Sequence, residues 1–137
     1  MNDDIRLRLE AAGLEVVGPF SGAGSSVAEA FHRVVNVDAE PVETIPRDCP
    51  EAANRVSESW QAHAQSMGVL SEDGSFLAAG SLEHGWIHVK LTPTTSIFST
   101  QDQEGDLLFI SRSPTGNQVC AASGEGAEYW ILAKELT

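Results

Sequence analysis

From residue 69 to the end of the chain, short apolar runs are broken about every 10–12 residues by turn-forming clusters, a meander spacing. The clusters are SEDGS around Gly74, EHG at Gly85, TPTT at Pro93, QEGD at Gly105, SPTGN at Gly116 and GEG at Gly126. The strands this implies are roughly 76–82, 86–91, 95–100, 106–112, 117–122 and 128–134, an antiparallel meander sheet of about five to six strands. Two of them, DLLFIS and EYWILA, are apolar on both faces. Leu108 and Ile110 oppose Leu107 and Phe109, while Trp130 and Leu132 oppose Tyr129 and Ile131, so water cannot lie on both sides of the sheet. A long helix must cover one face; N-terminal elements, sheet curvature or a second subunit must cover the other.

The first half supplies the helices. DDIRLRLEAA, residues 3–12, has acids in its first turn and Gly13 as a stop, although Ile5, Leu7 and Leu9 alternate as a strand would. Ser26 and Glu29 have capping-box spacing, with Val27, Phe31 and Val34 following at helical steps, which predicts a helix over 27–35. Residues 36–48 carry two prolines, four acids and one arginine and suit an ordered surface connection. The strongest helix follows at 49–67: Asp48 and Glu51 as a capping pair, Pro50 in the first turn, an apolar stripe of Ala53, Val56, Trp60, Ala64 and Met67, and Gly68 as the stop. The expected class is α+β, with N-terminal helices packed on a C-terminal antiparallel sheet. At 137 residues the chain suits one domain, 1–68 mainly helical and 69–137 mainly sheet.

Charge narrows the function. Twenty acids against eight bases give a formal net charge of -12, a field that repels nucleic acid and anionic lipid and favours a basic protein partner. Solubility alone, or a salt-adapted source, explains the same balance. Asp38, Glu40 and Glu43 in the acidic connection are candidate partner-binding residues. No apolar run is long enough to cross a bilayer, and MNDDIRLRLE has acids where a secretory signal is basic, so the expected compartment is cytoplasmic. Cys49 and Cys120 form no Cys-x-x-Cys and, in such a compartment, are expected to be reduced and unpaired.

Catalytic motifs are weak throughout. GPFSGAGSS, before the 27–35 helix, resembles a phosphate loop only in its glycines: it has no lysine to reach a terminal phosphate, and Val27 stands where the dinucleotide fingerprint wants glycine or alanine. A turn leading into a capped helix is the simpler reading. Cys49 has Asp48 and Glu51 as flanks, which oppose a thiolate. His84 and His88 have a zinc-like spacing, but in a strand their side chains start roughly 13 Å apart at about 3.3 Å per residue, too far to share one ion. No metal or other cofactor is expected.

In EHGWIHVKL, Ile87, Val89 and Leu91 fall on one face, and His84, Trp86, His88 and Lys90 on the other. A tryptophan among polar and cationic groups suits an interface anchor, or else packs under another element. The combined expectation is a small acidic protein-binding module, of which an inhibitor or immunity protein against a basic toxin is the most concrete form. An enzyme with a pocket between helix and sheet, and a subunit of a homodimer, are the alternatives.

Overall fold

The period-two alternation of the second half becomes a sheet that is apolar on both faces, shown here by a computed structural model describing residues 3–20, 24–35, 39–81, 85–97 and 107–136. The elements in chain order are α1 (Asp3–Ala11), β1 (Glu15–Pro19), α2 (Val27–Val34), β2 (Glu43–Pro46), α3 (Ala52–Ser66), β3 (Ser75–Ser81), β4 (Gly85–Lys90), β5 (Leu108–Arg112), β6 (Gln118–Glu125) and β7 (Glu128–Glu135). The class is α+β, as expected. The sheet, however, has seven strands instead of five to six, in the order β1-β4-β3-β5-β6-β7-β2, and every pairing is antiparallel.

The two additional strands come from the helical half and close the two edges. β1 pairs with β4 through a bulge between Val16 and Gly18, and β2 pairs with β7 from Glu43↔Ile131 to Pro46↔Glu128. β2 therefore lies inside the stretch expected to be a plain connection. At four residues, with a proline at its end, it carries little alternation of its own; the edge of β7 supplies its hydrogen bonds. Proline also ends β1, and prolines on short edge strands discourage pairing with other chains.

The expected strand at 95–100 is replaced, over its described part, by a turn held to the end of α1 and to the body of α3. The hydroxyls of Thr92 and Thr95 both donate to the carbonyl of Gly13, the latter at 2.9 Å, and so close the C-terminus of α1. Ser96 N–H donates to the Ala12 carbonyl at 2.7 Å, and Ile97 N–H to the Ser57 hydroxyl on α3 at 3.2 Å. Gly13 has φ +81, and a Cβ there would meet the Thr94 carbonyl oxygen at 2.5 Å, so glycine is required where α1 stops. With this segment committed to helices, β5 pairs with β3 instead of following β4 across the sheet.

On one face α1 and α3 bury a cluster in which Val56, Trp60 and Ala64 of the α3 stripe meet Phe76, Ile87, Val89, Phe109 and Ile131. Trp60 packs with ring centres 5.2 Å from both Phe76, tilted, and Phe109, edge-to-face, and donates its indole N–H to the Ser111 hydroxyl at 3.1 Å. The other face is covered by α2, whose Val27, Ala30 and Val34 pack on Leu77, Trp86, Ile110, Val119, Ala121 and Leu132. An N-terminal element thus covers the second face.

The expected start of the long helix is displaced. α3 begins at Ala52, not at residue 49, and the Asp48–Glu51 capping pair does not form: Glu51 is the N-cap residue, in the left-handed region at φ 62, without a side-chain cap bond. Arg47 N–H donates to the Ala127 carbonyl at 3.0 Å and Cys49 N–H to the Pro46 carbonyl at 3.1 Å. Those bonds fold residues 47–50 into a turn against the β6–β7 connection and delay the helix. At α2 the capping residue is as expected, with the Ser26 hydroxyl accepting from Glu29 N–H at 3.1 Å.

Candidate functional site

The described part of the glycine-rich loop is structural. Ser25 is buried; its N–H and hydroxyl both donate to the Asn117 side-chain oxygen at 3.0 and 3.2 Å. Its carbonyl accepts from Trp86 Nε1 at 2.8 Å and from Arg112 Nη1 at 2.6 Å. The Arg112 guanidinium also lies 5.4 Å from each of the Phe20 and Trp86 ring centres. Gly24 has φ +114, and a Cβ there would come within 2.5 Å of Arg112 Nη1, so the glycine makes room for the arginine. Desolvation draws the Arg112 pKa below the usual guanidinium range. Sequence reasoning missed this residue, because an arginine in FISRS reads as surface.

The residues of the EHGWIHVKL row separate. Trp86 is 5% exposed beneath α2, so it is an internal support and not an exposed anchor. Burial of the second sheet face, which the strand pattern demanded, uses its indole. His88 is half-buried, and its Nε2 has no hydrogen-bond partner among the described residues. Lys90 Nζ lies 3.9 Å from Asp73, at the rim of the sheet. His84 lies outside the described residues, as does Asp38.

Glu40 and Glu43 stand at different places. Glu40 is exposed at the side of a surface hollow beside Lys134. Glu43, on β2, meets the helix: its Oε1 lies 3.1 Å from His63 Nε2, one turn beyond Ser59. The neighbouring Ser59 hydroxyl, close enough to favour the anion but outside strict hydrogen-bond geometry, is the main influence on Glu43. With His63 and Arg55 it outweighs partial burial and holds the carboxyl below the usual carboxylate range. Arg55 Nη1 also donates to Cys49 Sγ at 2.9 Å, so the thiol has a cation as a direct neighbour as well as its two acidic flanks in sequence. Both cysteines are free. Burial pushes the Cys120 thiol up to about 12.

β2 leads from Glu43 to a rim where the β2–α3 turn meets the β6–β7 turn, joined by the Arg47–Ala127 backbone bond. Exposed Asp48 and Glu51 come from the first side, exposed Glu58 from the second turn of α3 that follows, and Glu125 from the second side, while Glu128 pairs with Pro46. Two arginines stand nearby: Arg47 lies over the Tyr129 ring at 4.9 Å, and exposed Arg55 donates to Cys49 while its charge also acts on Glu43. Acidic side chains therefore outnumber cations along this rim. Among the described residues, no three His, Cys, Asp or Glu side chains are grouped to hold a metal ion, and no helix is long and apolar enough to cross a membrane. Neither a protein-family model, a curated protein nor a solved structure matches the chain.

Proposed function

We propose that this protein is an acidic protein-binding module, of inhibitor or immunity type, that docks on the cationic surface of a basic partner. The observation that carries the reading is the rim formed by Asp48, Glu51, Glu58, Glu125 and Glu128, where acids outnumber the two arginines at hand, Arg47 and Arg55. A nuclease or similar effector that grips phosphate presents a cationic cleft, and an acidic rim of this kind steers onto it and occludes it. Glu51 in the left-handed region adds a strained backbone position within the same rim.

Two features weigh against the alternatives. The space between α3 and the sheet, where the enzyme alternative places its pocket, is filled by Trp60, Phe76 and Phe109. Helices on both faces remove the need for a second subunit to cover the sheet. The decisive experiment is affinity capture from the source organism, comparing the natural chain with a variant carrying Asp48→Lys, Glu51→Lys and Glu58→Lys. A basic partner held at low salt, released as salt rises and not retained by the variant supports the reading. Equal capture by the variant, or turnover of a small molecule by the isolated chain with no protein partner, overturns it.

A further inference from the structure

α2 covers the second sheet face over part of its extent. Its eight residues span about 12 Å, whereas β6 and β7, of eight residues each, run about 26 Å. It packs on Ile110, Ala121 and Leu132, which are neighbours in register across β5, β6 and β7. The next row on the same face, Leu108, Ser123, Trp130 and Thr44, lies two residues nearer the β6–β7 turn. Leu108 is 45% exposed there, Thr44 is exposed and Trp130 is half-buried. One row further on, Glu125 and Glu128 stand directly opposite each other. Carboxylates so placed, with Cβ atoms about 5 Å apart, repel. Neither forms an ion pair among the described residues, and Arg47 lies over Tyr129 on the face that α3 covers. A second observation singles out the same place. Ser123 is 2% exposed and its hydroxyl has no hydrogen-bond partner among the described residues; nor has the indole N–H of Trp130, its cross-strand neighbour. Buried polar groups are paired with few exceptions, so two orphans in one pair of residues mark a surface that something else completes.

We propose that this row is the anchor of the docking surface, taking from the basic partner an arginine with an apolar side chain beside it. The inference rests on the reading of the protein as an acidic docking module. The guanidinium enters between Glu125 and Glu128, and the apolar group lies on Leu108 and Trp130. A planar guanidinium donates to two carboxylates at once and lies flat on an indole, a geometry that a lysine ammonium lacks. A main-chain carbonyl of the same segment is the acceptor that the indole N–H is missing, reached as the ring shifts on docking. Charged rims chiefly set how fast partners meet, while a buried tryptophan and its neighbours set how slowly they part. Trp86 cannot serve as that anchor, being buried under α2. A second copy of the chain fits poorly, because a two-fold contact here would bring Glu125 and Glu128 against their own counterparts.

Surface plasmon resonance between the full chain and the basic partner recovered by capture tests the proposal. Leu108→Ser is expected to raise the dissociation rate about tenfold or more with little change in association. The pair Glu125→Gln and Glu128→Gln is expected to lower affinity about tenfold or more and to flatten its dependence on salt. Leu108 and Glu125 are exposed and Glu128 is half-buried, so these variants keep the fold, as an unchanged circular dichroism spectrum verifies. In the chain labelled with 5-fluorotryptophan, the partner should shift the resonance of Trp130, assigned by its loss in Trp130→Phe, more than those of buried Trp60 and Trp86. Loss of the partner by the triple variant at Asp48, Glu51 and Glu58, with dissociation unchanged by Leu108→Ser and by the glutamine pair, overturns the anchor and leaves the docking reading standing. A dimer in sedimentation that Leu108→Ser dissolves makes the occupant a second copy and overturns it as well. Recovery of no basic partner overturns both readings together.

Discussion

Trp60 is the largest fully buried side chain among the described residues, and its ring and its indole N–H are both used. Truncation to alanine removes the contacts to Phe76 and Phe109 and leaves a cavity that rigid strands cannot close. The expected loss for Trp60→Ala is about 3–5 kcal/mol by chemical denaturation, and a loss under about 1 kcal/mol would show that the site collapses freely. The cysteines differ in the same way by burial. Cys120 is sealed in the core with its thiol pushed up to about 12, whereas Cys49 is half-buried beside Arg55. Iodoacetamide at neutral pH should therefore label Cys49 in the folded protein and Cys120 only after denaturation, as read by peptide mass. Labelling of native Cys120 would mean that the core opens locally. Trp60 was legible from its three- and four-residue spacing. Arg112 was not, since its burial depends on Ser25, Phe20 and Trp86, which are distant in sequence and meet only in the fold.

Among the elements, β2 depends most on its neighbours. It is four residues long, hydrogen-bonded to β7 and linked to α3 through Glu43 and His63. Because the folded-state pKa of Glu43 is depressed, its contribution is fully present above the ordinary carboxylate pKa and is lost as pH falls through the lower folded value. Glu43→Gln should then cost under about 1 kcal/mol near neutrality, as fits a solvent-screened pair, and the difference from the natural chain should vanish at acid pH. Urea denaturation at pH 7 and at pH 3 measures it; an undiminished difference at pH 3 would place the effect outside the ionised carboxylate. α3 shows the opposite case. Its apolar stripe made the helix legible, but its first residue was set by the turn that Arg47 and Cys49 make, a tertiary matter.

For the whole molecule the net charge of -12 dominates. Like charges repel within a folded surface more than in an expanded chain, so added salt should raise stability. The melting temperature should increase from about 10 mM to about 150 mM sodium chloride, where the screening length shortens from roughly 30 to 8 Å. A fall over that interval would show that attractive ion pairs outweigh the repulsion. The same salt should weaken docking on a basic partner, so stability and capture should move in opposite directions.

Local information settled the α+β class, the three helices and five of the strands, because period, turn residues and Gly stops act over a few neighbours. It also required both sheet faces to be covered. What covers them, and the seven-strand order with β5 beside β3, depended on tertiary contact. The edge strands β1 and β2 are short and gain hydrogen bonds only when β4 and β7 are already in place. Trp86 illustrates the limit at the site. Its face of β4 was readable from alternation, but whether that face met solvent or α2 was decided by where a helix more than fifty residues earlier came to rest.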